Sequence, residues 1–182
     1  MINRLLTAAA LAAGGYLLSK KLTGSKSADG MESSVEESIE VMVPVSTAYN
    51  QWTQFEEFPT FMESVHEVRQ LSDTRLHWRA DVAGKMKEWD AKITEQIPDK
   101  RIAWTSTSGA KNGGVVTFHK ISESCTRIML QMSYTPDGPL ESIGDMIGAV
   151  RMEARKNLEA FKRLIEARKH ETGAWRGTVT QH

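Results

Sequence analysis

The sequence predicts an α+β domain in which a twisted antiparallel sheet of about six to seven strands packs against a long C-terminal helix. From residue 35 to residue 134, apolar and polar residues mostly alternate in short runs separated by turn residues, as in successive antiparallel strands. From residue 139 to residue 168, apolar residues recur every three or four positions, which is the spacing of one helix face. Strands followed by a helix are typical of α+β domains rather than of parallel α/β domains.

Length and composition favour one globular domain with short appendages. The chain has 182 residues, of which 40% are apolar and 25% are charged. Its 23 basic and 23 acidic residues balance, so we expect no nucleic-acid partner. Cys125 is the single cysteine, which excludes an internal disulfide and a metal site built from several cysteines.

The N-terminal segment, residues 1–22, is predicted to anchor the protein to a membrane. Residues 5–18 form an uncharged, mostly apolar run, and counting from residue 2 to residue 22 brings its length close to that of a spanning helix. A cleaved signal peptide and a soluble segment are the alternatives. The first would require a small-residue cleavage site where Lys20 and Lys21 lie, and the second would require a polar face that this run lacks.

The charges that flank the anchor indicate its orientation. Lys20, Lys21 and Lys26 follow the apolar run, whereas Arg4 and the amino terminus precede it. Because positive charges favour the cytoplasmic side, we expect a membrane-anchored protein with its globular domain facing the cytoplasm.

The remaining boundaries follow from composition. Residues 23–34 are polar and rich in Gly and Ser, which predicts a flexible linker. The globular domain is expected over residues 35–169. Residues 170–182 show no apolar periodicity, so this tail is predicted to be disordered or to dock only lightly through Trp175.

A first strand and two short helical segments open the domain. The alternating apolar residues of this strand are Ile39, Val41 and Val43. Pro44 ends the strand, and Ser46 is a suitable N-cap for a helix over residues 47–55. Pro59 breaks that helix, and a second short turn is expected to end at residues 61–62.

Six more strands follow, with turns predicted at residues 73–74, at Gly84, at residues 98–100 and in a flexible hairpin loop over residues 109–114. The second strand is indicated by Val65, Val68 and Leu71 and the fifth by residues 102–107. In the other strands the residues on the apolar side are Leu76, Trp78, Ala80 and Val82, then Trp89, Ala91 and Ile93, then Val116 and Phe118, and finally Ile128, Leu130, Met132 and Tyr134.

The final helix is predicted to be amphipathic. Pro139 suits its first turn, and Asp137 can cap free backbone N–H groups there. Its apolar stripe comprises Ile143, Ile147, Val150, Ala154, Leu158, Phe161 and Ile165. The opposite, solvated face carries Arg151, Arg155, Lys156, Glu159, Lys162 and Glu166. A helix of this length with one apolar face requires a broad surface, which the concave side of a twisted sheet supplies.

Four stretches in this order resemble a known superfamily. They are VPVSTAYNQWTQFEEFPTFM after the first strand, KEWDAKITEQIPDKRIAWTS in mid-chain, GVVTFHKI, and TRIMLQMSYTP ahead of the final helix. Together they resemble the START-like, or helix-grip, superfamily, in particular its polyketide cyclase/dehydrase and coenzyme-Q-binding branch. The similarity extends over roughly residues 35–168. It implies a hydrophobic cavity between the curved sheet and the long helix.

The resemblance also implies which side chains line that cavity. Segment 52–62 and the loop 109–114 are expected to gate it. The candidate ligand-binding residues are Trp52, Phe55, Phe58, Phe61, Trp78, Trp89, Trp104, Phe118, Met132, Tyr134, Ile143 and Ile147. The alternative for each aromatic residue is ordinary core packing.

Catalytic and metal motifs are absent from the sequence. His66, His77 and His119 do not fall at metal-ligand spacing, so neither a metal nor a cofactor is expected. No G-x-S-x-G motif supports covalent catalysis. Tyr134 is the only proton donor predicted to face inward, and a phenol is a weak base at neutral pH. No catalytic residue is therefore assigned.

These observations favour membrane-tethered binding or transport of a hydrophobic small molecule, lipid or quinone-like, with no metal and no nucleic acid. One alternative is a polyketide cyclase, aromatase or dehydratase, which a charged residue or His inside the cavity would favour. Another is a ligand-free structural or stress-related membrane-associated protein, in which large Met and Trp side chains fill the core.

Overall fold

The structure is a computed structural model and describes residues 33–135 and 143–180. The predicted anchor, most of the linker and Pro139 lie outside the described residues. The described part of the chain belongs to one compact unit that starts at Met31. Within it, no helix combines the length and apolarity needed to cross a membrane.

The described chain forms seven strands and two α-helices, with a short 3₁₀ helix between the first helix and the second strand. Their bounds are β1 (Ser33–Val41), α1 (Val45–Trp52), the 3₁₀ helix (Phe55–Thr60), β2 (Val65–Ser72), β3 (Arg75–Val82), β4 (Lys85–Ile97), β5 (Arg101–Gly109), β6 (Asn112–Ser122), β7 (Cys125–Tyr134) and α2 (Ile143–Arg168). All strand pairs are antiparallel, in the order β1-β7-β6-β5-β4-β3-β2. The predicted α+β class is therefore confirmed.

The sheet order places the short helices at one end of the sheet. Strands β2 to β7 pair in sequence through hairpins, whereas β1 pairs with β7 at one edge, with Ile39 opposite Ile128. The chain between β1 and β2 must therefore cross from one edge of the sheet to the other. Helix α1 and the 3₁₀ helix form this crossing, and they carry several of the aromatic residues of the core.

Helix α2 is firmly packed only along its C-terminal half. Leu158, Phe161 and Ile165 are fully buried, and the Phe161 ring lies 4.9 Å from that of Trp52. Val150, two turns before Leu158, is only half-buried. The predicted apolar stripe is correct, but its N-terminal half stands over an incompletely filled space.

The first helix begins earlier and ends earlier than the sequence predicts. The Ala48 N–H donates to the Pro44 carbonyl, so the first turn closes on Pro44 and the helix starts at Val45. Ser46 consequently lies inside the helix and is not its cap. At the other end, Phe55 belongs to the 3₁₀ helix rather than to α1.

The glycine pair at 113–114 lies in strand β6 and not in a hairpin loop, which corrects the predicted loop over residues 109–114. Gly114 pairs with Trp104 on one side and Met132 on the other. A Cβ atom at Gly114 would stand 2.6 Å from the Trp104 ring. The glycine is needed because a Cβ atom would meet the backbone carbonyl oxygen of Gln131 as well as the Trp104 indole, and a sequence pattern does not reveal these contacts.

Residues 170–180 of the C-terminal tail pack against the rest of the domain, although the sequence shows no apolar periodicity there. Arg176 forms a bidentate ion pair with Asp99 through N–O distances of 3.0 and 2.7 Å. Val179 exchanges two backbone hydrogen bonds with Gln96 in β4. Polar contacts, rather than buried apolar side chains, hold this strap of residues 170–180 against α1 and the β4–β5 turn. A pattern of apolar residues therefore does not reveal it.

The Glu57 carboxylate links the strap to the 3₁₀ helix. Its burial acts to raise its pKa, but hydrogen bonds from Thr172, Arg168 and Gln51 outweigh that effect and hold the pKa below its ordinary value of 4.5. A carboxyl whose pKa is lowered by folding stabilises the native state above its unfolded pKa, and this contribution disappears as the pH falls through the folded value.

We therefore expect Glu57 to make the thermal midpoint fall as the pH decreases below about 4.5, and this fall to be shallower in a Glu57→Gln variant. Thermal unfolding followed by circular dichroism at a series of pH values measures both slopes. Glu123→Gln is the control, because Glu123 lies in the distant β6–β7 turn and is exposed. Equal slopes in wild type and Glu57→Gln would contradict the assignment.

Candidate functional site

A cavity of about 160 Å³ lies between the concave face of the sheet and helix α2, with α1 and the 3₁₀ helix at one end. Trp52 and Phe58 enter from the short helices, Leu76 and Leu130 from the sheet, and Val150 from α2. Its wall is predominantly aromatic and aliphatic. Such a wall, together with a few polar groups, is the usual composition of a small-molecule site.

The cavity brings together eight of the candidate residues predicted from the sequence. They are Trp52, Phe55, Phe58, Trp78, Trp89, Trp104, Met132 and Tyr134. Their contact with a ligand stays a prediction.

Four candidates are placed elsewhere or lie outside the description. Phe118 is buried beside Tyr49 and Trp52 and does not reach the cavity. Phe61 packs on Phe58 and Phe161 behind the wall. Ile147 is half-buried but does not line the cavity. Ile143 is the first residue of α2, and its side chain lies outside the described part of the structure.

Aromatic contacts organise one side of the wall. The indoles of Trp78 and Trp89 are cross-strand partners and lie parallel, with centroids 5.9 Å apart and an interplanar angle of 3°. The Phe58 ring meets Trp78 edge-on at 5.8 Å, and Trp52 meets Phe58 at 5.6 Å. These rings support one another in the offset and edge-to-face geometries that aromatic pairs prefer.

Sequence reasoning missed the polar groups at the cavity opening. Ser64, Asp81 and Glu153 line both the cavity and an open vestibule outside it. Strict alternation assigns Asp81 to the outer face of β3, but the strand bends into a turn there, where Ala83 and Gly84 have positive φ values of 52° and 77°. Glu153 lies on α2 between the charged residues Arg151 and Arg155, and it is half-buried. Its burial depends on the tertiary packing of α2 against the sheet, which the sequence pattern does not show.

Two further polar positions were missed deeper along the wall. Asn112, which pairs with Tyr134 across β6 and β7, and Asn157 of α2 also line the cavity. Asn157 lies one turn from Glu153 and from Ala154, so the helix face toward the cavity is mixed rather than wholly apolar. This mixed face corrects the expectation that Tyr134 is the only inward proton donor.

The His77–Asp90 pair is the most suggestive ionic cluster away from the cavity. His77 Nδ1 lies 2.8 Å from Asp90 Oδ1, and the Ser108 hydroxyl donates to Asp90 Oδ2 at 3.0 Å. The hydrogen bond with His77, and to a smaller extent that from Ser108, lowers the pKa of Asp90. Asp90 lies between His77 and Ser108, whereas in a Ser-His-Asp triad the histidine lies between the other two residues. The serine here therefore has no contact with a base that could activate it as a nucleophile. Within residues 33–135 and 143–180, no three His, Cys, Asp or Glu side chains are grouped to hold a metal ion.

A curved antiparallel sheet that closes on a long C-terminal helix and leaves an apolar cavity between them defines a START-like, helix-grip protein. The chain belongs to the polyketide cyclase/dehydrase and lipid transport family, whose model matches residues 41–163. The resemblance inferred from the sequence is thus confirmed. The matched residues include the short helices, all strands after β1, and most of α2.

The chain is also similar to individual proteins, and the solved structures among them share its fold. An uncharacterized 17.2 kDa protein of Streptomyces lincolnensis is 55% identical over 148 residues, which is 81% of this chain and 99% of that protein. The fold is similar to that of the Zhui aromatase/cyclase from Streptomyces sp. R1128, with a TM-score of 0.66 and 15% identity over 80% of this chain and 100% of the other. A START superfamily protein from Mycobacterium smegmatis matches with a TM-score of 0.61 and 16% identity, covering 74% and 95% of the two chains.

Proposed function

We propose that the protein binds a hydrophobic small molecule, lipid or quinone-like, in the cavity beneath α2 without transforming it. The observation that carries this proposal is the cavity itself, because an apolar space inside a close-packed domain forgoes the van der Waals contacts that filling it would supply. Membership of a family described by lipid transport as well as by cyclisation supports it. The cavity also favours ligand binding over the filled-core alternative.

The volume of the cavity indicates what it holds in this conformation. Apolar cavities of about 150 Å³ accept a single benzene-sized ring, whereas sites for drug-sized ligands enclose roughly 300–1,000 Å³. At about 160 Å³, the cavity accommodates one ring or a short chain. A longer ligand requires segment 52–62 to move, or the N-terminal half of α2, where Val150 is only half-buried.

Native mass spectrometry of the gently purified full chain tests the proposal. We expect a bound hydrophobic molecule at near-stoichiometric occupancy, which solvent extraction then identifies. If the protein is empty and also takes up no apolar probe such as butylbenzene, the proposal is wrong and the ligand-free alternative is favoured.

Tethering to a membrane would give such a protein its mode of action. A membrane anchor formed by residues 1–22 would hold the cavity near the bilayer, where hydrophobic ligands dissolve, and would raise their effective concentration. The charges at Lys20, Lys21 and Lys26 support a domain on the cytoplasmic side. Membrane flotation of the full chain against a variant lacking residues 1–22 tests the tether, and equal distribution of the two would contradict it.

Catalysis is the second candidate, and the acidic groups at the cavity opening favour it. Asp81 and Glu153 approach the opening from β3 and α2, where either carboxylate could remove a proton between two carbonyl groups of a bound poly-ketone. The resulting carbanion would attack the carbon of a second carbonyl of the same chain, which closes the ring and leaves an alkoxide. The alkoxide would take the proton back from the carboxylic acid, and elimination of the hydroxyl group with a neighbouring C–H proton would release water and form a C=C bond. Incubation with a linear aryl triketone, followed by mass spectrometry for loss of water, tests this activity. If the triketone loses water at the same rate with and without the protein, the proposed catalytic activity is wrong.

A further inference from the structure

The ionisable side chains of the cavity wall carry one sign of charge. Apart from the phenol of Tyr134, Asp81 and Glu153 are the ionisable groups among the described residues that line it, and no Lys, Arg or His is among them. The two acids stand on different elements, β3 and α2, and both also line the vestibule. A ligand that enters through the vestibule must pass both carboxylates.

The vestibule is acidic as well. Its described lining includes Glu63 in addition to Asp81 and Glu153, against Lys156 and His66. Lys156 Nζ lies 3.3 Å from Glu153 Oε1, on a side chain that is 57% exposed. This ammonium group therefore offsets part of the charge of Glu153 from the solvent side and does not enter the cavity wall.

Such an opening discriminates between polar groups on a ligand. A carboxylate or phosphate placed there would lose hydration and face two like charges. A hydroxyl group would instead donate a charge-assisted hydrogen bond to a carboxylate oxygen. Neutral hydrogen-bonding groups at Ser64, Asn112 and Asn157 also belong to the polar part of the wall.

We propose that the ligand is a neutral amphiphile whose hydroxyl group lies at the opening, and that Asp81 and Glu153 exclude anionic amphiphiles such as fatty acids and phospholipids. This inference rests on the proposed ligand-binding function and adds to it the chemical class of the ligand. The apolar body, of about one ring, occupies the cavity, and the hydroxyl group remains between β3 and α2.

Equilibrium dialysis of the full chain against three matched probes tests the inference. Butylbenzene reports on the cavity alone, para-butylphenol adds a hydroxyl group, and para-butylbenzoate adds an anion to the same body. We expect wild type to bind para-butylphenol at least about tenfold more tightly than para-butylbenzoate, a difference of roughly 1.4 kcal/mol.

The double variant Asp81→Asn, Glu153→Gln identifies the groups responsible. We expect the ratio of the two affinities to fall below about threefold, chiefly because para-butylbenzoate binds better. The control Glu123→Gln, Glu159→Gln removes the same two charges at exposed positions outside the cavity lining, so its ratio should equal that of wild type. Circular dichroism verifies that each variant is folded.

The outcomes separate the two proposals. If butylbenzene binds wild type but the two polar probes bind equally, the proposed ligand class is wrong and cavity binding stands. The same holds if the double variant keeps the wild-type ratio of the two polar-probe affinities. If butylbenzene does not bind at all, the proposed function fails and the inference fails with it.

Discussion

Deletion of residues 170–182 is expected to lower the thermal midpoint by about 10 °C, because the strap satisfies buried polar groups on α1 and β4. The Gln51 side chain is 1% exposed, and its Oε1 accepts hydrogen bonds from the Thr172 N–H at 3.0 Å and from the Thr172 hydroxyl at 3.3 Å. The deletion also removes the backbone pair between Val179 and Gln96 and the ion pair of Arg176. Buried groups left without partners cost about 1–3 kcal/mol each, so a total near 3 kcal/mol is expected.

Differential scanning calorimetry of the full chain and the truncated chain measures this change. Deletion of residues 180–182 alone is the control, since it leaves the hydrogen bonds of Thr172, Arg176 and Val179 in place. An unchanged midpoint after the longer deletion would mean that the strap does not contribute to stability in solution.

Replacement of Val150 by Trp is expected to reduce the affinity for butylbenzene at least tenfold. Val150 lines the cavity from α2, and an indole at this position would occupy much of the 160 Å³ available to a ligand. The site is only half-buried, so the larger side chain should be tolerated better here than at the fully packed C-terminal half of the helix. Equilibrium dialysis measures the affinity, and circular dichroism reports on folding.

Ile147→Trp is the matched control for this experiment. Ile147 lies one turn before Val150 on the same helix and is also half-buried, but it does not line the cavity. The Ile147→Trp variant should therefore bind butylbenzene within about threefold of the wild-type affinity, because its indole does not occupy the cavity. A folded Val150→Trp protein with wild-type affinity would place the ligand somewhere other than beneath α2.

Local periodicity accounts for most of the agreement between sequence and structure. Alternation along β3 predicted Leu76, Trp78 and Ala80 as inward residues, and all three line the cavity. The stripe on α2 predicted the burial of Leu158 and Phe161. Both patterns are reliable because a strand or a helix must turn its apolar side toward the core, whatever the rest of the fold.

The errors occur where a distant residue decides the local structure. Gly114 lies in strand β6 because it pairs with β5 and β7, and a glycine is required there because an added Cβ atom would meet the Gln131 carbonyl oxygen and the Trp104 ring. The packing of residues 170–180 depends on polar partners such as Gln51 and Asp99, which lie some 70 to 120 residues earlier in the chain. Composition cannot reveal these pairings, since a polar tail with partners and one without them have the same sequence statistics.

The α+β class and the amphipathic C-terminal helix could be predicted from the sequence, because each depends on the spacing of residues within one element. Most of the aromatic wall was implied by the family resemblance and not by spacing. The assembled fold was needed to show that Asp81 and Glu153 line the same opening. It alone also showed that Phe118 and Ile147 stand away from the cavity and that the space beneath α2 stays open. A cavity is the volume that several elements together leave unfilled, so its position and its charge emerge only when those elements are assembled.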